Sequence, residues 1–144
     1  MTVFLDDVDT WDGESYGEYE MTREEIVEFA EQYDPQWFHT DPERAKDSIY
    51  DGLIASGWHT ASASMRLFVD GFLSETATLG AKGVDRLRWP HPVYPGDVLT
   101  IHSEILDVDP IDDERGFVRW KVDATTQDGD TVFSMEALPL LERE

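Results

Sequence analysis

The apolar residues of this chain change their period once, and that change restricts what the chain can fold into. Between residues 57 and 72, Trp58, Ala61, Met65 and Phe68 recur at helical spacing, and further apolar residues occupy other faces. We therefore expect a helix that is buried on most sides. After this helix the period becomes two, which is the side-chain period of a strand. Four strands are predicted, at residues 84–89, 98–108, 117–126 and 131–141.

Two shorter elements precede the long helix. Residues 15–21 alternate weakly between apolar and polar side chains and predict a strand. Thr22 and Glu25 match a capping box, so we expect a helix to begin behind Thr22. This helix is expected to end just before Pro35, because a residue that precedes proline disfavours the helical conformation.

Turn signals divide the rest of the chain. A helical turn is predicted at residues 42–47 with Asp41 as its N-cap. Gly80 and Gly83 are interpreted as the turn that leaves the long helix. The segment 127–130 contains Asp-Gly between two period-two runs, which is typical of a β-hairpin.

One predicted strand shows the face that it buries. Apolar side chains alternate with charged ones along it: Val118, Trp120, Val122 and Ala124 against Arg119, Lys121 and Asp123. This alternation is typical of an antiparallel sheet with one face toward solvent. We predict an α+β fold in which an antiparallel sheet packs around one long helix, as a single domain over residues 1–144 with an acidic N-terminal extension at about residues 1–14.

The charge balance excludes some classes of partner. The chain has 144 residues, with 11 Lys and Arg against 32 Asp and Glu, so its net charge is −21 at pH 7. Such a surface repels nucleic-acid backbones and anionic lipid, and we expect neither as a partner. Disorder is not favoured, because 40% of the residues are hydrophobic and 12% are aromatic, enough to form a core.

Cysteine usage and the first residues indicate the compartment. There is no cysteine, so no disulfide framework and no thiolate metal site are expected. Residues 1–12 contain four Asp and neither a basic residue nor an apolar stretch, which is unlike a signal peptide. We expect a cytoplasmic protein that does not span a membrane.

The basic residues are mostly arginine. Lys46, Lys82 and Lys121 are the three lysines, and the other eight basic residues are Arg. Many carboxylates with few lysines are typical of extreme halophiles, in which molar salt shortens the Debye length to about 3 Å and screens the repulsion. An acidic protein that binds a basic partner is the alternative, but the scattered acids favour the halophilic interpretation.

Asp34 and His39 form the one pair in the sequence that indicates acid–base chemistry. They lie five residues apart in a segment interpreted as a loop after the first helix. A carboxylate and an imidazole that face each other can hold a water molecule and move its proton. The alternative is structural: Asp34 caps the helix end, and His39 is a satisfied, half-buried histidine.

The other histidines carry weaker signals. His59 lies on the long helix, where it either lines a site or is a satisfied core residue, and the second is favoured. His91 and His102 are interpreted as structural or solvated. No histidine pair has metal-ligand spacing with a carboxylate, and no nucleotide-binding glycine motif occurs, so neither a metal nor a cofactor is expected.

Several motifs together resemble one known family. The segments that carry the resemblance are Tyr-Asp-Pro-Gln-Trp-Phe-His at 33–39, Gly-Leu-Ile-Ala-Ser-Gly-Trp at 52–58 and Pro-Val-Tyr-Pro-Gly-Asp-Val-Leu at 92–99. In order and spacing they are similar to the MaoC-like dehydratases, hot-dog fold proteins that include the (R)-specific enoyl-CoA hydratases. The resemblance covers about residues 22–141 and implies an antiparallel sheet wrapped around a long central helix.

The resemblance also implies a reaction and its residues. Asp34 and His39 correspond to the family's catalytic pair, which activates water for syn addition across a trans-2-enoyl thioester. Gly57 corresponds to the residue whose backbone N–H binds the thioester oxyanion, at a helix start that favours negative charge. The alternative for Gly57 is tight packing of the helix on the sheet. The implied protein is a hydro-lyase for a 2-enoyl-CoA or 3-hydroxyacyl-CoA.

The sequence departs from the family pattern around the site. Where the hydratases have Asn-Pro before the histidine it has Gln36-Trp37, and Ser56 replaces the histidine that precedes the oxyanion glycine. A serine farther along the central helix aligns with Met65, with Ser64 beside it. Ser56, Trp58 and Ser64 are candidate substrate-binding residues.

Coenzyme A would enter as part of the substrate, so its phosphates require local positive charge. Lys82, Arg86 and Arg88 follow the central helix and are candidates, with a solvated strand face as the alternative. The resemblance implies a homodimer or a larger homo-oligomer. Two other functions remain open: a hot-dog thioesterase, which usually needs a carboxylate early on the central helix where this chain has only the late Asp70, and a non-catalytic acyl-thioester binding protein.

Overall fold

The computed structural model describes residues 2–144 and contains one five-stranded antiparallel sheet in the order β1-β3-β4-β5-β2. Its strands are β1 (Ser15–Glu20), β2 (Thr78–Arg88), β3 (Val98–Pro110), β4 (Arg115–Thr125) and β5 (Thr131–Glu142). Its helices are α1 (Arg23–Tyr33), α2 (Trp37–Thr40), α3 (Pro42–Ala45) and α4 (Gly57–Gly71). The predicted α+β fold is confirmed, with the long helix α4 packed on the sheet.

The core lies between α4 and the inner face of the sheet. The alternation predicted for β4 is present, since Val118 and Trp120 are buried while Arg119 between them is half-exposed. Phe68 of α4 packs edge to face on Trp120, with 5.0 Å between ring centroids. The Trp120 indole N–H donates to the Ser103 hydroxyl at 2.6 Å, so the buried polar atom of this ring is satisfied.

The helix caps form at the predicted residues. The Thr22 hydroxyl accepts the Glu25 backbone N–H, and α1 ends at Tyr33, two residues before Pro35. The Glu25 side chain does not close the capping box, because it accepts the Tyr19 hydroxyl instead. Asp41 caps α3, which ends two residues earlier than the predicted turn.

The prediction that Gly80 and Gly83 form a turn is wrong. Both lie inside β2, which begins at Thr78, six residues before the predicted strand. They adopt φ angles of +134° and +149°, next to irregularities in the pairing with β5. The segment is exposed on both faces, so it lacks the alternation that reveals a half-buried strand.

Two other expectations need correction. His39 does not lie in a loop, because residues 37–40 form the short helix α2. The long helix is not buried on most sides in the single chain: one face is buried, while Trp58, Met65 and Val69 are exposed. The N-terminal segment also contributes to the core, since a 3-10 helix at Leu5–Trp11 buries Leu5 and Val8.

No helix within residues 2–144 is both long enough and apolar enough to cross a membrane.

Candidate active site

Asp34 and His39 face each other at the junction of two helices. Asp34 is the C-terminal cap of α1, and His39 lies on α2 only five residues later because Pro35 interrupts the helix between them. The His39 Nε2 atom is 3.4 Å from Asp34 Oδ2. His39 is buried and the Asp34 side chain is 19% exposed, so the pair lies at the edge of the interior.

Both oxygens of Asp34 accept a strong hydrogen bond. Gln36 Nε2 donates to Oδ1 at 2.7 Å, and Ser56 Oγ donates to Oδ2 at 2.7 Å. Burial by itself raises the pKa of the Asp34 carboxyl, but these two donors and the neighbouring His39 lower it further than burial raises it. The net pKa is below the usual aspartate value, so Asp34 is a carboxylate at neutral pH.

The backbone sets the tautomer of His39. Its Nδ1 atom is 2.8 Å from the carbonyl oxygen of Ile54, and a carbonyl can only accept, so Nδ1 carries the proton. In its neutral form the ring therefore presents the lone pair of Nε2 toward Asp34 Oδ2. Both facing atoms are then hydrogen-bond acceptors, an arrangement that is suited to a water molecule, which donates twice.

Gly57 is the first residue of α4, directly after the Ser56 N-cap. Its backbone N–H has no acceptor among the hydrogen bonds of residues 2–144. A Cβ atom at Gly57 would lie 2.5 Å from Cδ2 of the Trp89 ring, so any larger residue would force that indole to move. Two properties therefore coincide here: an unpaired N–H at a helix start, and a close approach of the backbone to the Trp89 ring.

A cavity of about 430 Å³ connects the imidazole with this helix start. His39 and Gly57 both line it, and most of its remaining wall is apolar, with contributions from Ile54, Trp89 and Val93. Asp34 is not part of the wall, and it meets the cavity through its contact with His39. A cavity with apolar walls and few polar groups is typical of a small-molecule site.

Comparison with known proteins identifies the family. The model of the MaoC like domain matches residues 13–127, which is most of the chain. The chain belongs to the MaoC-like family. A curated relative from Bacillus subtilis, the uncharacterized protein YdeM, is 32% identical over 124 residues, covering 85% of this chain and 87% of that protein.

Solved structures agree with this assignment. The crystal structure of the MaoC-like dehydratase from Rhodospirillum rubrum is 34% identical, with a TM-score of 0.85 and coverage of 99% of this chain and 98% of the other. The R-hydratase PhaJ1 from Pseudomonas aeruginosa is 20% identical, with a TM-score of 0.76 and coverage of 99% and 91%. The chain therefore has the hot-dog fold of the MaoC-like dehydratases and R-hydratases.

The other predicted binding residues of this MaoC-like protein fall in different places. Ser56 contacts Asp34, as described above. Ser64 is fully buried and donates to the Thr60 carbonyl, so its hydroxyl is used within the helix. Trp58 is 56% exposed and packs edge to face on Trp89, beside the cavity rather than inside it.

The three predicted phosphate-binding cations differ in what they contact. Lys82 lies over the Phe117 ring at 4.1 Å, and Arg86 donates to both oxygens of Glu136 at 2.9 Å. Arg88 forms no ion pair within residues 2–144 and donates only to the Leu87 carbonyl. In the chain, Arg88 directly precedes Trp89 of the cavity wall.

The positions of His91 and Thr60 in the cavity wall were not predicted from the sequence. His91 was interpreted as structural or solvated, yet it lines the cavity while its Nδ1 donates to the Thr131 carbonyl at 2.9 Å. Thr60 also lines the cavity, one turn after Gly57 on α4. Its spacing of three from Gly57 was the available signal, because such residues share a helix face.

The favoured interpretation of His59 as a satisfied core histidine is wrong. His59 is buried and stacks on Phe29, but its Nδ1 has no hydrogen-bond partner within the described residues. Its Nε2 lies 4.0 Å from Glu25, too far for a hydrogen bond. Burial lowers the pKa of His59, and the Glu25 carboxylate only partly opposes this. His59 lines a different cleft from His39, between α1 and α4.

Proposed function

We propose that this protein is a hydro-lyase that adds water to a 2-enoyl-CoA thioester or removes it from the corresponding 3-hydroxyacyl-CoA. One observation carries the proposal: the Asp34 carboxylate and the His39 imidazole lie 3.4 Å apart beside a cavity that is also lined by Gly57, whose backbone N–H has no acceptor within residues 2–144. Water activation and oxyanion binding are the two requirements of hydration at an α,β-unsaturated thioester.

In the hydration direction, water is held between Asp34 and His39. Its oxygen bonds to C3 of the enoyl group while the C2–C3 π electrons move toward the thioester oxygen. The Gly57 N–H stabilises the negative charge that develops on that oxygen. The proton that leaves the water is then delivered to C2, so the product gains one hydroxyl at C3 and one hydrogen at C2. Dehydration is the reverse sequence.

The acyl part of the substrate occupies the apolar cavity, and coenzyme A extends toward Arg88. A guanidinium suits this role because its planar fork can bind two phosphate oxygens at once. The apolar walls supply affinity without specifying one chain length, since each buried methylene contributes about 0.8 kcal/mol.

We also propose that two copies associate through α4 and β2. Met65 and Val69 on the open face of α4 and Leu79 and Val84 on β2 are exposed, beside an apolar cavity of about 320 Å³. β2 is an edge strand, so its outer edge is free to pair with another strand.

Each copy carries a charge of −21, so association requires screening by salt. We expect a dimer in molar KCl that dissociates at low ionic strength, and Val84→Glu to weaken it, as measured by analytical ultracentrifugation.

The activity is tested with the purified protein in molar KCl. Crotonyl-CoA and a panel of branched and dicarboxylic enoyl-CoAs are supplied, and loss of the enoyl absorbance is followed. Asp34→Asn and His39→Ala are compared with the native chain. His102→Ala is the matched control, because His102 is a histidine of β3 that bonds Ser15 and Thr125 away from the cavity.

The proposal predicts hydration by the native chain and the His102→Ala variant. It predicts at least a hundredfold lower rate of hydration for Asp34→Asn and His39→Ala. Equal rates in all four would overturn the assigned residues. Release of free thiol without hydration would identify a thioesterase. Tight acyl-CoA binding without turnover across the panel would identify a binding protein.

A further inference from the structure

Two side chains from different parts of the chain both donate to Asp34. Gln36 follows α1, and Ser56 lies directly before α4. Each donates to a different oxygen of the carboxylate, and both bonds measure 2.7 Å. Distances this short are typical of hydrogen bonds to a charged acceptor. Gln36 and Ser56 therefore hold the same carboxylate from both of its oxygens.

Each donor also occupies a helix N-cap. Gln36 caps α2, and its carbonyl accepts the backbone N–H of His39 at 2.9 Å. Ser56 caps α4, and its hydroxyl accepts the Trp58 N–H at 3.3 Å while donating to Asp34. The next residue after Ser56 is Gly57. The Asp34 carboxylate is thus hydrogen-bonded to the N-cap of the helix that holds His39. It is also bonded to Ser56, whose neighbour Gly57 carries the proposed oxyanion N–H.

Asp34 and His39 differ in how readily each can accept a proton, because their other hydrogen bonds differ. Asp34 already accepts one bond on each oxygen, which stabilises its ionised form and makes it a weaker base. His39 is held on its other side by the Ile54 carbonyl, so the Nε2 lone pair is uncommitted. A proton that reaches Nε2 produces an imidazolium 3.4 Å from a fixed carboxylate, which stabilises it.

We propose that Gln36 and Ser56 are positioning residues that hold Asp34 as an oriented carboxylate, so that His39, and not Asp34, takes the proton from water. The inference rests on the proposed hydration and deepens it. Water transfers a proton to Nε2 of His39 as its oxygen bonds to C3, and Nε2–H then returns the proton to C2. Asp34 keeps its charge throughout, orients the water and stabilises the imidazolium.

The test compares Ser56→Ala, Gln36→Ala and the double variant with matched controls. Ser62→Ala and Gln32→Ala are the controls, because Ser62 donates to a helix carbonyl and both residues line the separate cleft of His59. Ser56→Thr keeps the hydroxyl and is the rescue variant. The rate of hydration is measured against pH, and the titration of the Asp34 carboxyl is followed by carbon-13 NMR, with Asp34→Asn for assignment.

We expect each single variant to lose about tenfold in kcat/KM at the acidic end of the profile, with KM little changed. The acidic limb should move to higher pH in the order native, single, double, because an Asp34 that has lost its donors protonates more easily. Ser56→Thr should restore the native profile, and the controls should not differ from it.

A double variant with the native pH profile, or an Asp34 carboxyl that titrates identically in the native and double-variant proteins, would overturn the inference. The NMR titration needs no turnover, so the two proposals fail separately. A native chain that hydrates none of the panel refutes the proposed function, whereas the carboxyl titration still decides whether Gln36 and Ser56 hold Asp34 ionised.

Discussion

The Gly57→Ala variant tests whether Gly57, at the start of α4, is needed for packing or for binding the oxyanion. The new Cβ atom would lie 2.5 Å from Cδ2 of Trp89, so the ring must retreat by about 1 Å to reach an ordinary carbon–carbon contact of about 3.5 Å. Trp89 is 40% exposed, so it can move outward, but the move disturbs its edge contact with Trp58 at 5.1 Å.

Two opposing effects set the change in stability. Overpacking usually costs about 1–3 kcal/mol, with the low end apt for a ring that can relax into solvent. Replacing glycine by alanine in a helix gains about 0.5–1 kcal/mol, and less at the first position. We expect a net loss of about 0.5 kcal/mol in the free energy of unfolding, measured by denaturant titration in KCl.

The change in activity should be much larger than the change in stability. The methyl group stands beside the N–H that is proposed to bind the oxyanion and displaces the cavity wall by about 1 Å, and a misplacement of that size costs on the order of a hundredfold in rate. Gly71→Ala is the matched control, because Gly71 lies at the other end of α4 and its new Cβ atom would crowd an aromatic ring in the same way. That atom would lie 2.6 Å from Cδ2 of Tyr16. If Gly57→Ala and Gly71→Ala retain equal kcat/KM with an enoyl-CoA, Gly57 is a packing residue and the oxyanion assignment is refuted.

Three further changes test buried contacts outside the cavity of His39. His59→Leu removes a buried unpaired nitrogen and should raise the free energy of unfolding by about 1 kcal/mol. Because folding lowers the pKa of His59, the native chain should lose stability as pH falls below about 6.5, and the variant should not. Urea titrations at several pH values measure both effects. Ser103→Ala leaves the buried Trp120 N–H without its acceptor and should cost about 1–3 kcal/mol in the same assay, and an unchanged value would refute the bond. Hydrogen bonds from Arg119 and Arg86 lower the pKa of Glu136, so the stability that its carboxylate contributes is lost as pH falls below about 4.5. Glu136→Gln should therefore flatten the acid limb of the thermal-stability profile.

Local signals in the sequence predicted much of the fold because they act over a few residues. The Thr22 and Asp41 caps, the proline stop at Pro35 and the period-two strands β3 to β5 all depend on neighbouring residues, and the structure contains each of them. β2 was placed too late because both of its faces are exposed, so burial leaves no pattern in its sequence.

The pairing of Asp34 with His39 was predicted from spacing and from the family resemblance, and the structure brings the two side chains together. Their supporting contacts were not predictable from local pattern. Ser56 is 22 residues from Asp34 in the chain. It reaches the carboxylate because two backbone hydrogen bonds fix the preceding residues, from the Ile54 N–H to the Phe38 carbonyl and from the Ala55 N–H to the Val93 carbonyl. Such long-range pairing is a property of the folded chain.

The charge of the chain constrains how it can bind an anionic substrate. Nine of the 11 basic residues contact a carboxylate or an aromatic ring, and within residues 2–144 only Arg23 and Arg88 do neither. In molar salt the Debye length is about 3 Å, so the field of the other charges neither repels nor steers a phosphate at a distance. Under these conditions the proposed binding of an acyl-CoA depends on direct contact with Arg88 and on the apolar cavity. Arg88→Ala should therefore raise KM for an acyl-CoA much more than for the same acyl group on a short neutral thiol carrier, and equal increases would refute this assignment.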